Sequence, residues 1–143
     1  MTCINFLSGN YRKVVNASKK VPSNDGLSLM VVGSAYYALG KFERALAVYQ
    51  KAGVELKKRI DSSPECALRC AKLFNNMAVA YFELHKYEKA MQTFQRALEL
   101  FHSGGDEDCV AWSAAILDQA CIMNNMAYTL IKFREYEDAS DLI

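Results

Sequence analysis

The sequence predicts an all-α fold, and three observations predict it. Apolar residues recur at i, i+3, i+4 and i+7 through long segments, the period of an amphipathic helix. The apolar–polar alternation of β-branched residues that marks half-buried strands is missing throughout. Pro22 and Pro64 are the only prolines in 143 residues, so few points along the chain force a helix to stop.

Composition narrows the class further. A chain of 143 residues can bury one useful core. A net charge of +1 leaves no electrostatic footprint for nucleic acid, and the short basic run Lys57–Lys58–Arg59 reads as a solvated helix end. No apolar run approaches the roughly 20 residues of a membrane span, and no charged leader precedes an apolar core at the N-terminus. The expectation is a soluble, unsecreted protein of the cytoplasm or nucleus, with no nucleic-acid partner and no membrane insertion. Cys3, Cys66, Cys70, Cys109 and Cys121 form no dense framework, which fits reduced thiols. Cys66 and Cys70 share a helical face, but His85 and His102 lie in other segments. A zinc site needs about four converging ligands. No metal is expected, and the thiols are read as buried small hydrophobes.

The elements follow from an internal repeat. A degenerate first copy, residues 1–22, carries Phe6, Gly9, Tyr11 and Val14. The second, 26–60, carries Leu29, Val32, Gly33, Tyr36, Gly40, Phe42, Ala45, Tyr49 and Ala52. The third, 64–102, places Phe74, Met77, Ala78, Tyr81, Tyr87, Ala90, Phe94 and Ala97 at the same offsets. A fourth, 106–143, has Met123, Met126, Ala127, Tyr136 and Ala139. This spacing describes a helical hairpin. Small Gly33, Ala78 and Ala127 on the first helix let the second approach closely, and Ala45, Ala90 and Ala139 serve the same contact from the other side. Tyr36, Tyr81, Tyr49 and Phe94 are expected to fill the wedge between hairpins. One hairpin cannot bury its apolar face alone, so hairpins must stack.

Helix starts are legible in places. In Ser62–Ser63–Pro64–Glu65, Ser63 reads as a cap and Pro64 as the first helical residue. Gly104–Gly105–Asp106 reads as a stop and restart, with Asp106, Glu107 and Asp108 complementing a helix dipole. The first helices of the last two copies should then run from Pro64 to about Leu84 and from Asp106 to about Phe133. The last copy retains little of its second helix, so the solenoid looks unfinished at both ends. A fragment of a longer protein, or homo- or hetero-oligomer contact through those ends, is the expectation.

The stretches "MVVGSAYYALGKFERALAVYQKA" and "FNNMAVAYFELHKYEKAMQTFQRAL" resemble the tetratricopeptide repeat. The resemblance implies a right-handed superhelical solenoid of antiparallel helical hairpins, acting as a protein-binding scaffold or adaptor. The spacings from Ala45 to Ala90 and from Ala90 to Ala139 exceed the family's usual period of roughly 34 residues. In this the chain is similar to the lengthened repeats of kinesin light chains and LGN-type spindle-orientation adaptors.

Nothing in the sequence carries catalytic chemistry. It has no glycine-rich phosphate loop, no Ser/Cys–His constellation, no HExxH and no paired-carboxylate motif. No catalytic residue and no cofactor are expected. The 8 Tyr and 7 Phe sit almost entirely at packing offsets, without the basic stripe that base stacking would need. Trp112 lies outside the repeat pattern and is read as packing the last long helix against its neighbour, or else as an interface anchor.

Binding potential concentrates on the first-helix face opposite the packing seam. At 100° per residue, Lys72, Asn76, Val79 and Glu83 share that face in one copy, and Cys121, Asn125, Tyr128 and Lys132 in the next. Leu27, Val31, Ser34 and Ala38 are the earlier equivalents. The motif NNMA occurs in both later copies, so Asn75 and Asn124 lie at the flank of the same face. An Asn amide offers a donor and an acceptor together, matching an extended peptide backbone. The resemblance to kinesin light chains implies that use for Asn76 and Asn125. It does not imply the carboxylate clamp of chaperone-binding members. Lys72 and Asn76 match that clamp, but Met30, Ser34, Cys121 and Asn125 stand where its other Lys, Asn and Arg side chains are expected. The expected function is therefore a non-enzymatic module whose concave groove binds an extended peptide segment of a partner. The alternatives are a structural subunit packed permanently in a trafficking, RNA-processing or cytoskeletal assembly, or an accessory module attached to an enzyme domain.

Overall fold

The computed structural model describes residues 2–20, 25–58, 64–103 and 110–141, and the side chains of all of these except 2–8, 64, 103 and 110–117. The described residues form six α-helices and no strand: α1 (Thr2–Lys20), α2 (Gly26–Ala38), α3 (Phe42–Lys58), α4 (Pro64–Glu83), α5 (Tyr87–Ser103) and α6 (Val110–Asp141). The all-α class holds, as does the long α4 that starts at Pro64. The chain divides into two compact units, Met1–Arg59 and Ile60–Ile143.

In the first unit α2 and α3 form a hairpin, and α1 packs on α2. Asp25 caps α2, its carboxylate accepting from the Ser28 N–H at 3.3 Å and the Ser28 hydroxyl at 3.2 Å. Ala45, Leu46, Tyr49, Ala52 and Leu56 of α3 are buried with Leu29, Ala35 and Tyr36 of α2. The close approach expected at Gly33 is present, since a β-carbon there would lie 2.5 Å from Cε1 of Tyr49. Tyr49 therefore fills space within its own hairpin, over glycine. Its hydroxyl lies 3.1 Å from that of Ser34.

In the second unit α4 and α5 form a hairpin and α6 packs on α5, touching α4 as well. Ala71, Ala78, Ala90, Phe94, Ala97, Phe101 and Ile122 make one buried cluster. Both hairpins turn in the same way. Lys41 N–H donates to Tyr36 O and Gly40 N–H to Tyr37 O, each at 2.9 Å, and Lys86 N–H to Tyr81 O and His85 N–H to Phe82 O repeat both bonds at 2.9 Å. This is the Schellman pattern, which needs a left-handed residue after the helix. Gly40 (φ 74°) and His85 (φ 59°) supply it. An aromatic pair staples each turn, Tyr37 with Phe42 at 5.2 Å and Phe82 with Tyr87 at 5.5 Å between ring centroids.

The last copy departs from expectation. Helix α6 does not end near Phe133 but continues to Asp141, so Tyr136 and Ala139 extend the first helix and begin no second one. Arg134 stands where Gly40 and His85 stand in the other copies, and Ile131 stands where Tyr37 and Phe82 stand. Arginine is a strong helix former with no preference for positive φ, and the aromatic staple is gone. In consequence Ala127 is exposed, unlike its equivalent Ala78, and Met123 and Leu130 on the same stripe are 56% and 51% exposed.

Reduced thiols read as buried are only half-buried at Cys66 and Cys70 and exposed at Cys121, which faces outward on α6. The cap at Ser63, the stop and restart at Gly104–Gly105–Asp106, the acidic run there and Cys109 lie outside the described residues, as do the side chains of Cys3, Phe6 and Trp112.

Candidate functional site

Helices α4 and α6 run in the same direction, each packed against α5, and their outer faces adjoin. Side-chain contacts among the described residues tie them. Lys72 Nζ meets Asp118 Oδ2 at 3.4 Å. Further along, Asn125 Nδ2 donates to Asn75 Oδ1 at 3.3 Å. Further still, the rings of Phe82 and Tyr128 approach to 5.4 Å between centroids.

None of the ten sequence-derived candidates is buried, and Lys72, Asn75, Asn125 and Tyr128 take part in these contacts. Lys72, Glu83, Cys121, Asn124 and Tyr128 are exposed, while Asn75, Asn76, Val79, Asn125 and Lys132 are intermediate. The geometry pairs the asparagines differently from the two independent rungs the repeat suggested. Asn125 reaches sideways to Asn75, the first amide of the other NNMA motif, and Asn76 makes no side-chain hydrogen bond among the described residues. The Asn125 amide nitrogen also approaches Cys121 Sγ at 3.9 Å. Sequence periodicity places residues on a face but cannot say which amide bends toward the neighbouring helix.

Lys132 closes one end of the face. Its ammonium donates to Glu135 Oε2 at 3.0 Å and lies 5.7 Å from the Tyr128 ring centroid. The bond to Glu135, with that carboxylate's charge, holds the ammonium above its ordinary pKa. Between the helices is a cleft of about 200 Å³ lined by Val79, Phe82, Glu83, Phe94, Asn125, Tyr128 and Thr129. Thr129 is 1% exposed, and its hydroxyl is spent on the Asn125 carbonyl at 2.7 Å. Sequence reasoning missed Phe82, Phe94 and Thr129 as site residues. Phe94 and Thr129 are buried core positions and Phe82 is half-buried, and all three border the cleft only because α4 and α6 adjoin.

Among the described residues no group of three or more His, Cys, Asp or Glu side chains converges as a metal would require. No helix of the described residues is long and apolar enough to cross a membrane.

Two tetratricopeptide repeat models match the chain, one over residues 28–59 and the other over residues 71–103. The matched stretches are the α2–α3 hairpin and the α4–α5 hairpin with the second half of α4, each closed by the same turn. The chain is a tetratricopeptide-repeat protein, and such repeats mediate protein–protein interactions. No curated protein matches it.

Proposed function

We propose that this chain is a non-enzymatic interaction module that holds an extended segment of a partner protein along the α4–α6 face. The observation that supports this most is the Asn75–Asn125 amide pair, which spans two helices among the accessible side chains of Lys72, Asn76, Val79 and Tyr128. Amides serve backbone recognition because each carries both a donor and an acceptor. The test compares proteins retained by the wild type and by an Asn76→Ala/Asn125→Ala variant. Loss of a partner by at least about tenfold, equivalent to about 1.4 kcal/mol, with an unchanged melting temperature, is expected. Unaltered retention of every partner overturns the reading.

A second reading, a structural subunit packed permanently in an assembly, draws on different residues. Leu27 and Val31 on α2, and Met123, Leu130, Ile131 and Tyr136 on α6, are large apolar side chains left 43–60% exposed. Obligate interfaces resemble a split core. Solution mass separates the readings. A monodisperse monomer favours the groove, whereas persistent oligomers favour the assembly. The reduced thiols of either reading fit the cytoplasm or nucleus.

A further inference from the structure

We propose that Tyr136 is a phosphorylation site, and that the cavity between the α4–α5 turn and α6 receives its phosphate. The proposal is independent of the groove reading and concerns a different part of the second unit.

Three observations carry it. The first is the tyrosine itself. Tyr136 is 60% exposed, and every residue from 134 to 141 of α6 is exposed with it. Unwinding that stretch into the extended form that a kinase active site accepts therefore uncovers little buried surface. Once extended, Tyr136 stands between Glu135 on one side and Glu137 and Asp138 on the other, a charge pattern of the kind by which kinases select substrates. Tyr128, 52% exposed on the same helix, has Ala127 and the buried Thr129 beside it instead.

The cavity is the second. A space of about 360 Å³ is lined by residues 85–89 at the turn and by Phe133 and Tyr136 of α6. Lys86 and Lys89 on its wall are exposed, and neither has an ion-pair partner among the described residues. Glu88 also lines it, so the lysines outnumber the acid there. His85 has its Nδ1 engaged at 2.8 Å by the Tyr87 hydroxyl, which leaves the two lysines as the cations able to turn to a new partner. Tyr136 is held at this wall, its ring 6.3 Å from that of Tyr87 between centroids.

Helix geometry is the third. In α6 the neighbours of Tyr136 three and four residues away are Lys132, Phe133, Ala139 and Ser140, none of them acidic. The acids that flank it in an extended chain turn to other directions at 100° per residue, and Glu135 is bound to Lys132 at 3.0 Å. A phosphotyrosine carries a charge of about −1.5 to −2 at pH 7 and three acceptor oxygens. On Tyr136 these meet Lys86 and Lys89, and charge-assisted hydrogen bonds of that kind are the strong ones. Phosphorylation should therefore fasten the exposed end of α6 to the turn.

In the reaction a tyrosine kinase transfers the γ-phosphoryl group of ATP to the Tyr136 oxygen. The new O–P bond replaces the bond from the γ-phosphorus to the β,γ-bridging oxygen. ADP leaves, and the phenolic proton passes to the base of the kinase.

The experiment has two arms. In the first, the full chain is incubated with ATP and a panel of purified tyrosine kinases, and the modified residues are mapped by mass spectrometry. Tyr136 should be modified in clear preference to Tyr128. In the second, phosphotyrosine is placed at position 136 by ligating a synthetic peptide of residues 121–143 to the preceding segment at Cys121. Amide exchange beyond residue 134 should then slow by about tenfold, the scale of one hydrogen bond to a charged group. The slowing should vanish in a Lys86→Gln/Lys89→Gln variant, whose melting temperature checks that it is folded. No modification of Tyr136, or equal modification of Tyr128, overturns the site. Exchange that is unchanged or faster in the phosphorylated chain, or slowing that survives loss of both lysines, overturns the role of the cavity.

Discussion

In the α2–α3 hairpin the Tyr49 ring lies over Gly33 while its hydroxyl meets Ser34; in the α4–α5 hairpin the same three places hold Phe94, Ala78 and Val79. The substitutions go together. A phenol needs a hydrogen-bond partner when buried, and a ring pinned by that bond needs a glycine beneath it. Without the hydroxyl, the phenylalanine has no use for serine and coexists with a methyl group. The turns differ in a similarly paired way. Gly40 takes the left-handed position beside Phe42, whereas His85 takes it with its Nδ1 2.8 Å from the Tyr87 hydroxyl. One hairpin avoids the steric penalty by having no Cβ. The other offsets it with a hydrogen bond that Phe42 could not make. The same fold position is thus held by a set of residues, and exchanging one member alone should be worse than exchanging the set.

The largest expected effect is at Gly33. Gly33→Ala places a β-carbon 2.5 Å and 2.6 Å from Tyr49 ring atoms and should destabilise by about 1–3 kcal/mol in denaturant unfolding. In a Ser34→Val/Tyr49→Phe background, which copies the second hairpin, the same substitution should cost clearly less. Equal costs in both backgrounds would break the comparison.

The turns come next. Gly40→Ala forces a side chain into left-handed backbone at roughly 1–2 kcal/mol. Substituting His85→Gly should instead stabilise by up to about 1 kcal/mol, with a larger gain when Tyr87→Phe has already removed the bond to the ring. A double-mutant cycle on His85 and Tyr87 measures that coupling, and a value near zero would show that the histidine is held by something else.

A smaller and local effect is expected in α6. Arg134→Gly should lower helix stability by about 1 kcal/mol at that point, seen as faster amide exchange beyond residue 134 with protection around Ile122 and Thr129 unchanged. If exchange rises along the whole helix, the final turns are not the separable extension that their exposure suggests.

The smallest effect is a pH dependence. Burial pushes the Tyr49 phenol up, and the Ser34 hydrogen bond pulls it partly back. The folded value therefore exceeds the unfolded one. The associated stability is complete below the unfolded tyrosine pKa of about 10 and is lost as pH rises through the folded value. Tyr49→Phe should remove that part of the alkaline loss, whereas Tyr136→Phe, at an exposed ring, should leave it in place.

Much of this was legible in the sequence because the hairpin offsets are a packing code. Gly33, Ala78, Ala90 and Phe94 are where their size says they should be. The reading went too far at Tyr136 and Ala139. They repeat the second-helix signature, but a hairpin is made by its turn, and Arg134 with Ile131 supplies neither a left-handed residue nor an aromatic staple. In the candidate groove, the 100° periodicity grouped Lys72, Asn76, Val79 and Glu83 on one helix face and Cys121, Asn125, Tyr128 and Lys132 on the other, with Asn75 and Asn124 at the flank, and none of these is buried. It assigned Asn76 and Asn125 as equivalents, since they occupy the same offset, and could not foresee that Asn125 would bond Asn75.

By itself, then, the sequence determined the helical class, the hairpin unit and the residues that share each helix face, because these depend on period and on side-chain size within one repeat. Only the tertiary structure decided that α6 runs straight, that the two NNMA motifs meet through one hydrogen bond, and that Phe82, Phe94 and Thr129 border a cleft. Those outcomes depend on which side chains from different helices come within a few ångströms of one another. A spacing rule along one helix contains no such distance.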